Sequence, residues 1–301
     1  MKNSALRLGY FADGPWAHQA FQKIIADSRF EVAFVCLRWT HQDPVLKQMA
    51  EKAGIHVFSV PKINAPDVLE KLRGEECRIF VSMSFDQIFK ADILKIAPLG
   101  IINCHAGKLP FYRGRNILNW ALINDEKELG VTVHHVDTGI DTGDIILQKC
   151  TPITDEDDYA SLHAKAVAIC ADLLYESLVQ IQEGRAKRIV QSTIHPVGMY
   201  CAQRKPGDEI LNWNQTSREI FNFVRAIAKP GPRATTKYLG QDAFINRVIE
   251  VKDSPQYKGT PGQILGKGKN GWLVKTKDSF VEVLEIEVTG GAVLRPGERF
   301  G

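Results

Sequence analysis

The 301-residue sequence has no apolar run of the ~18 residues that a bilayer-spanning helix needs. Its opening residues, Met1-Lys2-Asn3-Ser4, lead into an apolar segment of only a few residues without a small-residue cleavage site, so no secretory signal is expected. The cytoplasm follows as the expected location. Six cysteines (Cys36, Cys77, Cys104, Cys150, Cys170 and Cys201) are scattered, and none forms a C-x-x-C pair. That argues against a zinc ribbon, a redox motif and a disulfide framework, and leaves the thiols as small apolar residues. Neither sign of charge dominates: 38 Lys and Arg stand against 35 Asp and Glu, for a net charge of +3. Such a balance does not announce a nucleic-acid or membrane-surface protein, whose basic residues are expected to cluster. There is no internal repeat and no low-complexity tract. What remains is 44% hydrophobic and 24% charged, the balance of a globular chain long enough for a large domain and a smaller one.

The first half alternates short apolar segments with helically spaced ones. Leu6 to Phe11, Glu31 to Leu37, His56 to Val60, Arg78 to Ser84 and Gly100 to His105 read as strands. Trp16 to Ala26, Pro44 to Ala53, Pro66 to Arg73 and a segment near Lys90 to Ile96 read as helices. This rhythm predicts an α/β fold whose mostly parallel sheet is covered on both faces, a Rossmann-like architecture. Gly130 to Val136 and Asp144 to Gln148 read as two more strands, and Thr154 with Asp157 as a capping box before a long helix ending near Gly184. Residues 196–208 hold two prolines and two glycines and read as a connector. A helix over Ser217–Ala228 and glycine-punctuated strands over Ala243–Val251, Gly262–Leu265, Gly271–Thr276 and Ser279–Val288 then predict a small open β-barrel. The expected division is a catalytic domain over 1–195, the connector, and a C-terminal domain over 209–301.

Two stretches carry the chemistry. Asn103-Cys104-His105 closes an apolar strand, and Asp137-Thr138-Gly139-Ile140-Asp141-Thr142-Gly143-Asp144 forms an Asp/Gly-rich loop. Residues two apart in a strand share a face, so Asn103 and His105 project together at the carboxyl end of a parallel strand, where open α/β sheets bind ligands. The loop could bring Asp141 to the imidazole. A carboxamide can stabilise the oxyanion of acyl transfer to an amine, a histidine can accept the amine proton near neutrality, and a carboxylate can orient it. An Asn-x-His pair can equally be a structural pair that bonds a turn, and Asp-x-Gly loops are ordinary turns.

Taken together, Asn103-x-His105, the run Leu109-Pro110-x-Tyr112-Arg113-Gly114 and the Asp-x-Gly-x-Asp-x-Gly loop resemble the formyltransferases that use 10-formyltetrahydrofolate. The resemblance covers nearly the whole chain. It implies a Rossmann-like catalytic domain followed by a barrel related to the OB-fold, with 10-formyltetrahydrofolate as donor and no metal. It also implies Asn103 as the group that polarises the formyl carbonyl, His105 as base and Asp141 as its orienter, with Asp144 as the alternative carboxylate. By the same resemblance the pterin would lie between Phe85-Asp86-Gln87-Ile88 and the segment from Val136 to Ile140.

Two features then direct the acceptor reading toward an amino sugar carried on a nucleotide, formylated for a bacterial surface glycan. Leu37 to Pro44 is short and holds one basic residue, Arg38, where tRNA-modifying members of the family carry a longer basic loop. The run from Gly107 to Asn116 looks most like that of the enzymes that formylate amino groups on nucleotide-linked sugars, with Gly107-Lys108 where tRNA-modifying members carry Ser-Leu. Lys108, Tyr112, Arg113, Arg204 and Lys205 are the expected substrate-binding residues, with Arg204 and Lys205 suited to a diphosphate. This reading expects a small nucleotide-sugar substrate, no nucleic acid, no membrane, and a possible homodimer. Methionyl-tRNA formylation is the alternative acceptor, and a non-catalytic nucleic-acid-binding module the alternative of another class. His134, His135, Asp137, Asp141 and Asp144 invite a metal reading. Adjacent strand residues face opposite ways, however, so His134 and His135 do not share one ion and read instead as cross-strand packing residues. The turn Ala12 to Trp16 reads either as an anion site at a helix start or as an N-cap by Asp13. Trp213 and Trp272 read as core residues of the β module.

Overall fold

A computed structural model describes residues 4–301; Met1-Lys2-Asn3, which entered the reading of the chain's start, lie outside the described residues. Packing divides the chain into two units. One comprises the chain up to Gly114 with Leu129–Thr151 and Lys165–Cys201; the other comprises Arg115–Glu128, Pro152–Ala164 and Ala202–Gly301.

In the first unit, strands β1 (Leu6–Ala12), β2 (Phe30–Leu37), β3 (His56–Ser59), β4 (Ile79–Met83), β5 (Ile101–His105), β7 (Glu128–His135) and β8 (Ile145–Pro152) form one sheet in the order β3-β2-β1-β4-β5-β7-β8. The first five pair in parallel, and β7 runs antiparallel to β5. Alternation along β1 explains the double covering. Leu6, Leu8 and Tyr10 enter one core with α1 (Pro15–Ile25), α2 (Pro44–Lys52) and Cys170, Leu174 and Leu178 of α5 (Tyr159–Gln182). Phe11 enters the other with Phe34, Phe80 and Leu72 of α3 (Pro66–Gly74). Burial on both faces is why these strands carry continuous apolar runs. A two-stranded ribbon pairs β6 (Arg113–Gly114) with β9 (Tyr200–Cys201), and of the two only β9 lies inside the stretch 196–208 read as connector. A one-turn helix, α6 (Gln191–Ile194), precedes it.

Local readings are corrected at three points. The helix expected near Lys90 to Ile96 is one 3-10 turn, Ile93–Lys95, because the Asn64 side chain holds the Lys90 N–H and Pro98 follows closely. Asp13 neither caps α1 nor marks an anion site: Gly14 is the N-cap, and the Asp13 carboxylate accepts from the backbone N–H groups of Arg38 and Asp43. Before α5, the Asp157 carboxylate accepts from Thr154, but the reciprocal capping pair is Asp158 with Ser161.

In the second unit, α4 (Ile117–Ile123) was not foreseen in the sequence; it packs on α7 (Ser217–Ile227) and is tied to it by Asn119 Nδ2 donating to the Ala226 carbonyl at 2.6 Å. The capping box of Thr216 and Glu219 starts α7. Strands β10 (Ala234–Tyr238), β11 (Gln241–Glu250), β12 (Ile264–Lys267), β13 (Trp272–Lys275) and β14 (Phe280–Val288) form an antiparallel sheet in the order β10-β11-β14-β13-β12. Its two edges are bridged by one segment: Phe300 pairs with Tyr238 of β10, and Arg299 with Gln263 beside β12. That bridge gives the barrel-like closure. Trp213 is core, stacked on Phe300 with centroids 5.3 Å apart, whereas Trp272 lies under the Lys267 ammonium at 3.9 Å. Four cysteines, Cys36, Cys77, Cys104 and Cys170, are buried as expected of small apolar residues. Among the described residues no helix is long and apolar enough to cross a membrane.

Candidate active site

The site begins with the pairing of β5 and β7. Asn103 and His105 alternate with Cys104, which turns into the core that contains Cys170. The register sets Asn103 opposite His134 and His105 opposite Thr132. Directly opposed residues share a face, so all four side chains line one patch.

The Asp/Gly-rich loop returns Asp141 to that patch. Its Oδ2 lies 3.7 Å from His105 Nδ1, and its Oδ1 lies 3.5 Å from His134 Nε2. The Gly114 N–H donates to Oδ2 at 2.8 Å. Asp141 holds a left-handed backbone, φ 54, a conformation that Asp tolerates better than most residues. Asp144 points elsewhere, to Arg188 at 3.1 Å. Of the two carboxylates weighed from sequence, Asp141 is therefore the one beside the imidazole.

Hydrogen-bond partners fix the tautomers. His105 Nε2 is 2.7 Å from the Tyr112 carbonyl oxygen, so Nε2 carries the hydrogen and Nδ1 presents its lone pair toward Asp141. His134 Nδ1 is 2.7 Å from the His135 carbonyl oxygen, so Nδ1 donates and Nε2 accepts from Asn103 Nδ2 at 3.2 Å. Two consequences follow. The Tyr112 carbonyl, rather than Asp141, orients His105, because 3.7 Å is too long for a hydrogen bond. Asp141 acts on His105 through charge. Burial pushes the His105 pKa down from its ordinary value, against the opposing attraction of Asp141, so the ring is neutral near neutral pH. Burial pushes the Asp141 carboxyl up, but attraction to the His105 imidazole in its charged form and the hydrogen bond from the Gly114 N–H outweigh it and hold it well below the usual carboxylate range. The patch thus offers an amide donor, a neutral base and a fixed negative charge, which suits attack by an amine on a carbonyl carbon.

His134 is the participant that sequence reasoning missed. It was weighed as a metal ligand and set aside as a cross-strand packing residue, and its position here depends on β7 running antiparallel to β5. Among the described residues no cluster of His, Cys, Asp or Glu could hold a metal ion.

The other expected residues fall in several places. Phe85 packs on Phe11 and Phe89. Asp86 is exposed, and Gln87 ties its segment to Val60 and Ile63 at 2.8 and 2.7 Å. Ile88 and Ile140 expose their side chains, whereas Val136 packs against the second core. The two segments leave β4 and β7, the strands that flank β5. Lys108 packs over Gly130, where a Cβ would come within 2.5 Å of its own Cβ. The Arg113 guanidinium bonds Gln191 and the Tyr200 hydroxyl. Arg204 and Lys205 belong to the second unit. Arg204 donates to the Asp208 carbonyl and stands near Trp120 and Phe223, while the Lys205 N–H bonds the Asp208 carboxylate.

Comparison with known proteins fits this geometry. The formyl transferase family model matches residues 19–178, and the model of the formyl transferase C-terminal domain matches residues 204–300. A methionyl-tRNA formyltransferase of Pelotomaculum thermopropionicum is 35% identical over 85% of this chain and 80% of its own length. One of Trichlorobacter lovleyi is 33% identical over 83% and 77%. A solved structure of WlaRD, a sugar 3N-formyl transferase, superposes with a TM-score of 0.70 over 95% of this chain and 99% of that one, at 22% identity. At that identity the likeness establishes the fold alone.

The expected amino-sugar acceptor, and with it the absence of a nucleic-acid partner, is therefore overturned: five relatives 32–35% identical over at least 81% of the chain are all methionyl-tRNA formyltransferases. Arg38 is turned inward onto the Ser84 carbonyl and hydroxyl, so the shortage of basic charge in its loop is real and still did not predict the acceptor. Gly107 lies against the His105 ring, where a Cβ would stand 2.4 Å from Nε2, so this departure concerns packing beside that ring. The chain belongs to the formyl transferase family and is a formyltransferase, as its three motifs led us to expect.

Proposed function

We propose that this chain transfers the formyl group of 10-formyltetrahydrofolate to the α-amino group of methionyl-tRNA, with Asn103, His105 and Asp141 as catalytic residues. The acceptor rests on one observation: relatives similar over most of the chain carry that activity in their names. A tRNA partner and the cytoplasm, where aminoacyl-tRNA is made, follow from the acceptor.

The residues present suit the donor. A pterin takes backbone hydrogen bonds at its edge and apolar contacts on its faces. The segments Phe85–Ile88 and Val136–Ile140 offer backbone groups next to the exposed side chains of Ile88 and Ile140. When bound, the donor supplies an activated formyl carbon. One Asn103 amide hydrogen is held by His134, leaving the second to donate to the formyl oxygen as charge builds there, a contribution of roughly 3 kcal/mol for such a donor. Nδ1 of neutral His105 takes the proton from the attacking amine. Asp141, ionised before the reaction, stabilises the imidazolium that forms. No enzyme nucleophile is needed, because the amine itself attacks; as the new C–N bond forms, the bond from the formyl carbon to N10 of the donor breaks, and the proton taken up by His105 passes to the departing nitrogen.

The test offers the purified chain and 10-formyltetrahydrofolate a choice of methionyl-tRNA or amino nucleotide sugars. Saturable formylation of methionyl-tRNA is expected. Turnover confined to an amino nucleotide sugar would sink the proposal.

A further inference from the structure

We infer that Gln191 is a positioning residue for the proposed formyl transfer, on whose reading this inference rests: its carboxamide, oriented by Arg113, fixes where the Asp141 carboxylate stands against His105. Gln191 lies in the stretch between the long helix and the β-rich part, where the sequence offered no chemical signal. It is 3% exposed, and its amide has no capacity left over. Nε2 donates to the carbonyl oxygens of Asp141 and Gly143, each at 2.8 Å. Oε1 accepts from Arg113 Nε at 3.1 Å and Nη2 at 2.6 Å. A guanidinium only donates, so it holds the amide oxygen and turns the NH2 toward the loop. Arg113 is itself held, by the Tyr200 hydroxyl at 3.2 Å and by the Tyr200 ring.

These contacts close a ring around the carboxylate. The Gly114 N–H holds Asp141 Oδ2, and the neighbouring Arg113 holds Gln191, which holds the Asp141 carbonyl. Both ends of Asp141 are thus tied to consecutive residues of β6. Asp137 bonds Gly139 and Thr142 and shapes the loop from within, but does not fasten it to β6. Asp141 sits at φ 54, a backbone conformation that persists only when its surroundings enforce it. Without Gln191 the Gly114 N–H is the remaining tie from β6, and the carboxylate drifts from the 3.7 Å and 3.5 Å that separate it from His105 and His134. In a buried site the attraction that stabilises an imidazolium falls quickly with such a drift.

The test uses Gln191→Met, which keeps bulk and removes every hydrogen bond, and Gln191→Glu, which keeps the partner of Arg113 and removes the donors. Asp141→Asn runs in parallel, with methionyl-tRNA and 10-formyltetrahydrofolate as substrates. We expect kcat to fall roughly 10- to 100-fold in both Gln191 variants, with KM for either substrate nearly unchanged. The ionisable groups facing His105 are Asp141 and His134. Loosening Asp141 removes the attraction that favours protonated His105, so the acid limb of kcat/KM moves to lower pH, as it does in Asp141→Asn. Unchanged kcat, or a loss of thermal stability and kcat with the acid limb in place, would overturn the inference; should Gln191→Met not fold, Gln191→Glu decides by the same readouts. If Asp141→Asn alone moves the limb, only the positioning role falls. If Asp141→Asn leaves both kcat and the limb untouched, the catalytic reading falls and the role of Gln191 with it.

Discussion

The carboxamide nitrogen of Asn103 stands 3.2 Å from Nε2 of His134, its directly opposed residue across the β5–β7 pair. His134 is 2% exposed, and its other nitrogen is committed to the His135 carbonyl. The ring is therefore a fixed acceptor. It keeps the amide of Asn103 presented as a donor, with the geometry set before any substrate arrives.

Replacing His134 with Phe keeps the buried ring and removes the acceptor. The Asn103 amide then rotates, and its own oxygen competes for the place of its N–H. We expect kcat to fall roughly 100-fold, the scale for losing one oxyanion donor, with KM much less affected. His134→Gln, which retains an acceptor, recovers part of the loss. Steady-state kinetics decide the matter; wild-type turnover in His134→Phe would take His134 out of the site.

His105 makes a pH prediction with a definite sign. Only its neutral form can take the amine proton, and burial places its pKa below the ordinary ~6.5 of histidine. The acid limb of kcat/KM is therefore centred below that value, and activity is level through neutrality. His105→Gln preserves a donor to the Tyr112 carbonyl but not the base, and lowers kcat by roughly 10²- to 10⁴-fold. A wild-type limb centred above neutrality would count against His105 as the base.

How much of this was legible in the sequence depends on what a residue pattern records. Continuous apolar segments alternating with helically spaced ones foretold the doubly covered sheet, and Asn103-x-His105 foretold a shared face. Strand direction is not written in alternation, so the reversal of β7, and hence the pairing of Asn103 with His134, was invisible. Helix α4 was hidden because it starts from Asn116 at φ 55 without a side-chain cap. Arg204 looked available for a phosphate, yet it bonds a carbonyl four residues on, a contact only a folded loop reveals. The acceptor was least legible of all. The roles proposed for Asn103, His105 and Asp141 concern a carbonyl and a proton, and that chemistry is the same whether the amine belongs to a sugar or to an aminoacyl ester.

Gly107 is constrained by its neighbours. A Cβ there would lie 2.4 Å from His105 Nε2 and 2.5 Å from the Tyr112 carbonyl oxygen, intruding on the hydrogen bond that orients the base. Gly107→Ala is expected to lower kcat at least tenfold by displacing the ring, since small misplacements in a catalytic constellation cost on the order of 100-fold. The measurement pairs kinetics with a structure of the variant. Full activity with His105 still on the Tyr112 carbonyl would show that the backbone relieves the clash without involving the ring.

His135 points away from its neighbour's patch and governs stability instead. Burial, reinforced by Arg188, drives its pKa down to about 4, although Asp144 pulls the other way. In the unfolded chain the same imidazole titrates near ~6.5. Above that value neither state binds the proton and the protein has its full stability. As the pH falls from ~6.5 toward 4, the unfolded chain takes up a proton that the folded ring refuses, so stability declines, levelling once the folded ring also protonates. Buried His105 shifts in the same direction and adds to the decline. His135→Gln removes one of these two proton sinks. Its melting temperature should fall less steeply than that of the parent between pH 6.5 and 4, so that whatever it loses at pH 7.5 shrinks on acidification. Thermal unfolding of both proteins across that range reads the difference directly. Parallel curves would mean that His135 is protonated equally in the folded and unfolded chain, and that the acid sensitivity has another source.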